Sequence, residues 1–350
     1  MTGSFQRVRA VLRGKMPDRA PIFDLLRNDA VIGHFTGQTL TTDNAPDLVH
    51  TAFAPAIDAT RSVRLPDTEG TVTRDDGRQQ RVYRWTTWTD HVRYESSAAY
   101  AAAKTKWIDS FDPAWTPADQ QTIEDHLSGA RDMQAKLGEC FWMTGGGSPG
   151  FMNIMGEVGL EAFSYYFVDC PDIIVQQMEC FTQQTVRWLE HLPDNHGIEA
   201  VMMGDDICYN SGPFFSPAWF DEHYMPRLAR ILDIYHAKGM KVMFHTDGDC
   251  MPILPGLVDA GIDGLNPIEV NAGMDVGEIH RRHPHIFMCG GIDVSYLLPF
   301  GTPDQVADAT KKAIDDAEGR IMIGSSTELN DDVPLENFLA MRQTVLDNPY

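Results

Sequence analysis

Residues 241–249 carry the clearest chemical signal in the sequence. An apolar run ends in an imidazole, and a polar turn with a glycine follows it before a helix near Pro252: Val242-Met243-Phe244-His245-Thr246-Asp247-Gly248-Asp249. Parallel α/β folds place their chemistry where such strands end. His245 and Asp247 are two residues apart, so both side chains leave the same face if the strand continues. In the alternative reading, Asp247 caps the next helix and His245 packs in the wall.

Polar side chains also follow most of the other predicted strands: Asp24, Thr144, Asp205, Asp206, Asn266, Glu269, Asp293 and residues 325–328. A rim of carboxylates around one imidazole is typical of acid/base catalysis or of a metal site with hard ligands. Catalytic zinc takes three protein ligands and keeps one position open. His245, Asp247 and either Glu269 or Glu328 would supply these ligands, and Tyr209 could reach the same site. Because aspartate and asparagine also cap helices, roughly half of the rim is expected to be structural.

Eight short apolar segments alternate with helical stretches along the chain and would position these side chains. The predicted strands are residues 21–26, 57–65, 140–144, 200–204, 241–245, 264–268, 286–289 and 320–324. A right-handed series of eight strand–helix units closes as a (β/α)8 barrel, the TIM barrel. The alternative, an open doubly wound sheet, more often has a glycine fingerprint after its first strand, and none is present here. We therefore predict an α/β protein with one barrel domain over residues 1–350.

One region departs from this alternation. From residue 70 to residue 96 the chain is rich in alternating Thr, Val, Tyr and Trp, and Asp76–Gly77 joins residues 71–73 to residues 81–85. Asp-Gly between such runs is a strong signal for a β-hairpin. Helices are predicted beyond it, over residues 99–106 and 117–137. This pattern indicates a helical and β-hairpin insertion in the N-terminal part of the barrel.

Composition excludes several classes of function. The net charge of −22 opposes binding to nucleic acid or to an anionic membrane, and it disfavours a polyanionic substrate. No run of about 18 apolar residues exists, so no membrane span is predicted. The six cysteines form no CxxC pair, which is typical of reduced thiols, and Met1–Arg9 lacks the apolar core of a signal peptide. We therefore expect a cytoplasmic protein.

A series of short motifs, taken in order, resembles one known superfamily. The motifs are Arg13-Gly14, Asp18-Arg19-Ala20-Pro21, Gly159-Leu160-Glu161, Gly204-Asp205-Asp206, Ser216-Pro217, His236 with Gly239, Phe244-His245-Thr246-Asp247-Gly248, Gly264-Leu265-Asn266-Pro267-Ile268-Glu269, Gly290-Gly291-Ile292-Asp293 and Leu298-Pro299-Phe300-Gly301-Thr302-Pro303. With them the chain resembles the uroporphyrinogen decarboxylase superfamily, which includes the decarboxylase and the methyltransferases that feed corrinoid proteins. The resemblance extends over nearly the whole chain and implies the same barrel.

Within that superfamily, the methyltransferase branch is the better match. The true decarboxylase has an Arg-Gln-Ala-Gly-Arg-Tyr run after its first strand, whose arginines hold porphyrin carboxylates, whereas only Arg27 remains at that place here. Related zinc methyltransferases bind zinc with a His-x-Cys pair and a later Cys. His245 fits the first ligand, but Asp247 and residues 325–328 stand where the cysteines would be. What remains resembles the members that demethylate small methoxylated or methylated compounds.

This resemblance implies methyl transfer from a small methoxylated or methylated donor to cobalamin carried by a separate corrinoid protein, with zinc as the candidate metal. The implied catalytic residues are His245, Asp206 and Glu269, and the implied metal ligands are His245, Asp247 and Glu328. The residues expected to contact the substrate are Asp205, Tyr209, Asp293, Arg27 and Thr144. The alternative is a decarboxylase that acts on a smaller acid, and a homodimer is a possible assembly.

Overall fold

Eight parallel segments form a closed ring in the structure, a computed structural model that describes residues 3–350. The strands of the ring are Ala59–Thr60, Phe141–Trp142 with Thr144–Gly146, Ala200–Gly204, Lys241–His245, Gly264–Ile268, Phe287–Ile292 and Ile321–Ser325. Each pairs in parallel with the next one along the chain. A first segment closes the ring, because Ile22 pairs with Ile323 and Phe23 pairs with Ala59. The predicted (β/α)8 barrel is therefore confirmed.

The first two segments are less regular than the sequence predicts. Residues 21–26 make only isolated bridges, and the strand predicted over 57–65 is reduced to Ala59–Thr60. A side chain replaces part of the ladder here, because Oδ2 of Asp58 accepts the N–H of Ile22 at 2.9 Å. The buried backbone donor is thereby satisfied without a longer strand.

Helices cover the outside of the ring. The α-helices are Ser4–Leu12, Asp29–Thr36, Ala45–Ala56, Ser97–Asp109, Pro117–Leu137, Phe151–Val158, Leu160–Asp169, Pro171–Glu190, Pro217–Trp219, Met225–Ala237, Leu254–Ala260, Val276–Arg282, Leu297–Phe300, Pro303–Ala317 and Leu335–Asp347. A π-helical turn spans Phe220–Tyr224, and a 3-10 turn spans Val270–Ala272. The helices Phe151–Val158 and Leu160–Asp169 meet at Gly159, whose φ of 80° is outside the helical region. Within residues 3–350, no helix has the length and apolar character needed to cross a membrane.

A three-stranded antiparallel sheet lies between the second ring strand and the helix Ser97–Asp109. Its strands are Gly70–Thr73, Gln79–Val82 and Thr87–Thr89. Gly77 takes a φ of 81° in the turn that the Asp-Gly pair predicts, a conformation that glycine adopts without strain. The guanidinium of Arg84 and the indole N–H of Trp85 both bind Asp29. These contacts anchor the sheet to the first part of the barrel.

Side chains alternate between the interior of the ring and its helix-covered outer face, as pleated strands require. The interior forms its own apolar cluster: Val8, Val11, Leu12, Phe23, Leu25, Ala59, Phe141, Met143, Ala200, Met202, Met243, Phe287, Cys289 and Met322. The helix Ser4–Leu12 closes the amino end of the strands. The hydroxyl of Ser4 donates to Asp58 at 2.7 Å, and the apolar face of the helix packs in the interior cluster. Met243 points inward, so His245 leaves the same strand on the same side, at the open carboxyl end.

The seam between the first and eighth segments depends on Gly324. A Cβ at this position would lie 1.9 Å from the carbonyl oxygen of Phe23. Because the clash is with backbone, no side-chain rotation relieves it, and we predict that Gly324→Ala lowers the free energy of unfolding by roughly 3 kcal/mol or more. Gly145→Ala is the matched control on another ring strand, where a Cβ meets open space. Equal urea unfolding midpoints for the two variants would contradict the close seam.

Candidate metal centre and active site

His245 points into the mouth of the barrel with a defined orientation. Its Nδ1 lies 2.7 Å from Oδ1 of the buried Asn266. The amide of Asn266 is itself oriented, because its Nδ2 lies 3.5 Å from the carbonyl oxygen of Cys289. Since an amide oxygen can only accept, Nδ1 of the imidazole carries the proton and donates it. When the ring is neutral, the lone pair of Nε2 therefore faces the mouth.

Two carboxylates on separate loops face Nε2 of His245. Oδ1 of Asp206 lies 3.7 Å from this nitrogen, and Oδ1 of Asp247 lies 3.8 Å from it. One ligand atom from each of the three residues lies within 4.8 Å of the other two. An imidazole nitrogen and two carboxylate oxygens are donors that zinc accepts, and they leave a position open for a small molecule. The donor set of His245, Asp206 and Asp247 therefore fits a catalytic zinc ion.

Each of these carboxylates is held by a hydrogen bond from another part of the mouth. Oδ1 of Asp206 accepts the N–H of Asp247 at 3.1 Å, and Oδ1 of Asp247 accepts the hydroxyl of Thr327 at 2.9 Å. Thr327 adopts a φ of 111°, which is an outlier for a β-branched residue. Such strain, about 1–3 kcal/mol, is concentrated at functional sites. The loop after the eighth strand is thus fitted to the position of Asp247.

Glu269 joins the same mouth through the turn at Gly248. The N–H of Gly248 donates to Oε2 of Glu269 at 2.6 Å. Gly248 has a φ of 88°, and a Cβ there would lie 2.5 Å from the backbone of Tyr209. The loops that follow the fourth, fifth and sixth strands therefore meet at this one glycine, which no larger residue could replace without moving them.

Burial and neighbouring charges raise the pKa of two acids at the mouth, Asp206 and Glu269. Burial raises the pKa of Asp206, the neighbouring His245 opposes this, and the charge of Asp247 adds to it. Burial also raises the pKa of Glu269 against one opposing hydrogen bond, and the charges of three aspartates add to the rise. A bound divalent cation would reverse the repulsion among these groups. The geometry and the electrostatics of the cluster both favour a metal.

Asp205 was expected to contact the substrate, and the structure corrects this assignment. The residue is fully buried. Its two oxygens accept hydrogen bonds from the N–H groups of Gly150, Phe151 and Met152 and from the hydroxyl of Tyr224. Burial raises the pKa of Asp205 to about 6 in spite of these bonds. Its carboxylate caps the helix Phe151–Val158 and is turned away from any ligand in the mouth.

Asp293 and Thr144 were also expected to contact the substrate, and the structure gives them different surroundings. The carboxylate of Asp293 is nearly buried and accepts the N–H groups of residues 295–297, where a short helix begins. Thr144 follows Met143, which points into the ring, so Thr144 points outward. It lines a cleft beside Phe5 and His196, at the closed end of the barrel. Neither side chain is directed at the metal-ligand group.

Glu328 lies outside the metal-ligand group, and Asp206 takes its expected place. The carboxylate of Glu328 forms an ion pair with the guanidinium of Arg27. Tyr209 is half exposed, and its ring stacks on Phe214 with the centroids 5.3 Å apart. The backbone carbonyl of Tyr209 accepts the N–H of Asp249 at 3.0 Å, which places this residue beside the turn at Gly248. Arg27 and Tyr209 therefore remain candidates for substrate contact.

The sequence analysis places Asn266 and Thr327 in the polar rim without a specific role, and it does not single out Arg61. Asn266 could have been found, because it is paired in register with His245 on the neighbouring strand. Arg61 was hidden inside the predicted strand 57–65, whereas the real strand ends at Thr60. The contact between Thr327 and Asp247 could not be predicted from the sequence, since it depends on a loop conformation.

Comparisons with known proteins identify a family and a solved structure with a similar fold. The family model described as Uroporphyrinogen decarboxylase (URO-D) matches residues 140–347. Among solved structures, a methyltransferase from Methanosarcina mazei superimposes with a TM-score of 0.68 at 17% sequence identity, covering 99% of each chain. A B12-independent methionine synthase from Shewanella sp. W3-18-1 gives a TM-score of 0.47 at 11% identity, covering 94% of this chain and 98% of the other. A comparison with curated protein sequences gives no significant match. At 17% identity, the likeness to the methyltransferase from Methanosarcina mazei shows a shared fold.

The buried Asp205 should make the stability of the protein depend on pH. Its pKa rises from 3.8 to about 6 on folding, so the folded state binds this proton more tightly than the unfolded state. Its stabilising contribution is therefore complete below about pH 4 and is lost as the pH rises through about 6. We predict that the free energy of unfolding of the wild type, relative to Asp205→Asn, falls by roughly 2 kcal/mol between about pH 4.5 and 7.

Urea unfolding at both pH values measures this difference. The exposed Asp315→Asn, on the surface of the helix Pro303–Ala317, is the control and should show no such pH dependence. An equal difference between wild type and Asp205→Asn at both pH values would show that Asp205 does not titrate in this range.

Proposed function

Because the chain belongs to the uroporphyrinogen decarboxylase family, whose model matches residues 140–347, we propose that it is a methyltransferase of that family. It removes a methyl group from a small methoxylated or methylated donor and passes it to the cobalamin of a corrinoid protein. One observation carries this proposal: Nε2 of His245 and the carboxylates of Asp206 and Asp247 converge at the barrel mouth. The fold shared with a methyltransferase from Methanosarcina mazei supports it.

Zinc is the metal that we propose for this donor set. Nε2 of His245 and one oxygen each of Asp206 and Asp247 would hold it, in a site with an open position. When bound, zinc supplies Lewis acidity at the donor's oxygen or nitrogen. Asn266 keeps the imidazole in the tautomer that can bind a metal, and Thr327 fixes the carboxylate of Asp247.

The chain's own acid for the leaving group is Glu269. In the transfer, the bond between the methyl carbon and the donor's oxygen or nitrogen breaks, and its electron pair stays on that atom. The new bond to the methyl carbon uses an electron pair of the reduced cobalt in the partner's cobalamin. The leaving atom then takes a proton, and burial and neighbouring charges raise the pKa of Glu269 so that it can hold one. The six unpaired cysteines favour the cytoplasm as the setting of this reaction.

Decarboxylation of a small acid is the second candidate function. It is favoured by Arg27 and Arg61, two arginines at the mouth that could hold a carboxylate. The two reactions differ in their requirements, because decarboxylation releases carbon dioxide and needs no corrinoid. An assay with and without added cobalamin therefore separates them.

We predict that His245→Ala abolishes both metal binding and methyl transfer. The purified wild type should bind about one zinc ion per chain, and the variant should bind almost none, because three-ligand sites rarely survive the loss of the imidazole. Methyl transfer from methoxylated aromatics or methylamines to reduced cobalamin, followed by absorbance, should fall by roughly a hundredfold or more. Elemental analysis gives the metal content.

His50→Ala is the control for this experiment. His50 lies on the outer helix Ala45–Ala56, where its Nδ1 contacts the carbonyl oxygen of Pro46 at 2.8 Å. This variant should retain the zinc content and the rate of the wild type. The assignment is wrong if His245→Ala keeps both.

A further inference from the structure

Arg61 is a half-buried arginine without a partner. Its Nε is shielded from solvent and has no hydrogen-bond partner, and no acidic group in residues 3–350 forms an ion pair with it. Arg19, another largely buried arginine, has such a partner, because it forms an ion pair with Asp58. Removing a charged guanidinium from water without a compensating partner costs free energy. Arg61 therefore lacks a counter-ion within the described chain.

The position of Arg61 directs it to the barrel mouth. The second ring strand ends at Thr60, so Arg61 is the first residue of the loop at the carboxyl end of this strand, where the mouth lies. Arg27 likewise directly follows the first segment, residues 21–26. The two arginines follow adjacent segments of the ring, because Phe23 pairs in parallel with Ala59. The charge of Arg27, after burial, also lowers the pKa of Arg61.

One positive charge at this place is left uncompensated. Arg27 forms an ion pair with Glu328, but its Nε is also shielded and lacks a partner. Of the two guanidinium groups, only that of Arg27 therefore has a carboxylate partner. Arginine presents its N–H groups in a planar fork that matches the two oxygens of a carboxylate. A second carboxylate, brought by a ligand, would complete the arrangement.

The arginine pair and the metal-ligand group belong to the same opening. Glu328 holds Arg27, and the preceding residue, Thr327, donates to Asp247 at 2.9 Å. A single loop after the eighth strand therefore contacts both groups. A molecule bound in the mouth can meet the carboxylates and imidazole at one end and the arginines at the other.

We propose that Arg61, assisted by Arg27, binds a carboxylate of the methyl donor, so that the donor is a methoxylated or N-methylated acid. This inference rests on the proposed function and names its substrate class. The carboxylate is an anchor that stays on the product, while the methyl group lies toward His245. The arrangement selects an anionic donor in spite of the acidic character of the chain as a whole.

The test compares acids with their uncharged amides. Calorimetric titrations of the zinc-loaded protein, without corrinoid, use 4-methoxybenzoate and N,N-dimethylglycine, each against its primary amide. The wild type should bind at least one acid roughly tenfold to a hundredfold more tightly than its amide, because a charged hydrogen-bonded pair is lost with the amide. Arg61→Gln should remove this preference, and Arg61→Lys should restore part of it. Arg131→Gln, on the surface of the helix Pro117–Leu137, should leave it unchanged.

Three outcomes overturn the inference: neither acid is preferred by the wild type, Arg61→Gln retains the preference, or Arg61→Gln weakens acid and amide equally. Turnover distinguishes a failure of the proposed function. With reduced cobalamin added, Arg61→Gln should raise KM for the acid with little change in kcat, and the demethylated product should keep its carboxylate. If acids bind through Arg61 but no methyl group is transferred, the arginine site stands and the proposed function falls. Release of carbon dioxide would identify the carboxylate as the reacting group and overturn its role as an anchor.

Discussion

The hydrogen bond between Nδ1 of His245 and Oδ1 of Asn266 determines what the barrel mouth can do. The two residues lie side by side because their strands pair in register, so the geometry of the sheet selects the tautomer of the imidazole. With Nδ1 protonated, the lone pair of Nε2 faces Asp206 and Asp247. A ring turned the other way would direct an N–H at that position and could not bind a metal there. Fold and chemistry are joined at this single contact.

The acidic residues divide into two groups that the sequence does not separate. Asp205 and Asp206 are adjacent and chemically identical, yet one is saturated by backbone N–H groups and the other faces the mouth. Neighbouring residues of an extended chain point in opposite directions, which sends Asp205 to the helix layer. Asp58 and Asp293 belong with Asp205, since each accepts hydrogen bonds from backbone or side chains around it. Fewer carboxylates can therefore interact with a ligand in the mouth than the number of acidic residues near the strand ends suggests.

The barrel and the shared face of His245 and Asp247 could be predicted from the sequence, because both follow from regular periodicities. Alternation of apolar strands and helices predicts the ring, and the spacing of two residues places His245 and Asp247 on one face. What the sequence could not supply depends on where a strand ends. Arg61 was not singled out because the second strand ends at Thr60 and not at residue 65, and Thr144 was misplaced because the inward register of its strand is set by packing. Glu328 was assigned to the metal since its pairing with Arg27 lies between distant segments.

The closed amino end of the barrel has a kinetic consequence. The helix Ser4–Leu12 fills that end with Val8, Val11 and Leu12, and its hydroxyl contact with Asp58 seals it to the second strand. With the amino end filled, a ligand reaches the site from the carboxyl end of the strands. On the proposed function, a small donor and a protein-bound acceptor must approach from that end one after the other. The difference in size then sets the order of binding. The small donor binds first, the corrinoid protein binds over it, and the demethylated product leaves after the corrinoid protein dissociates.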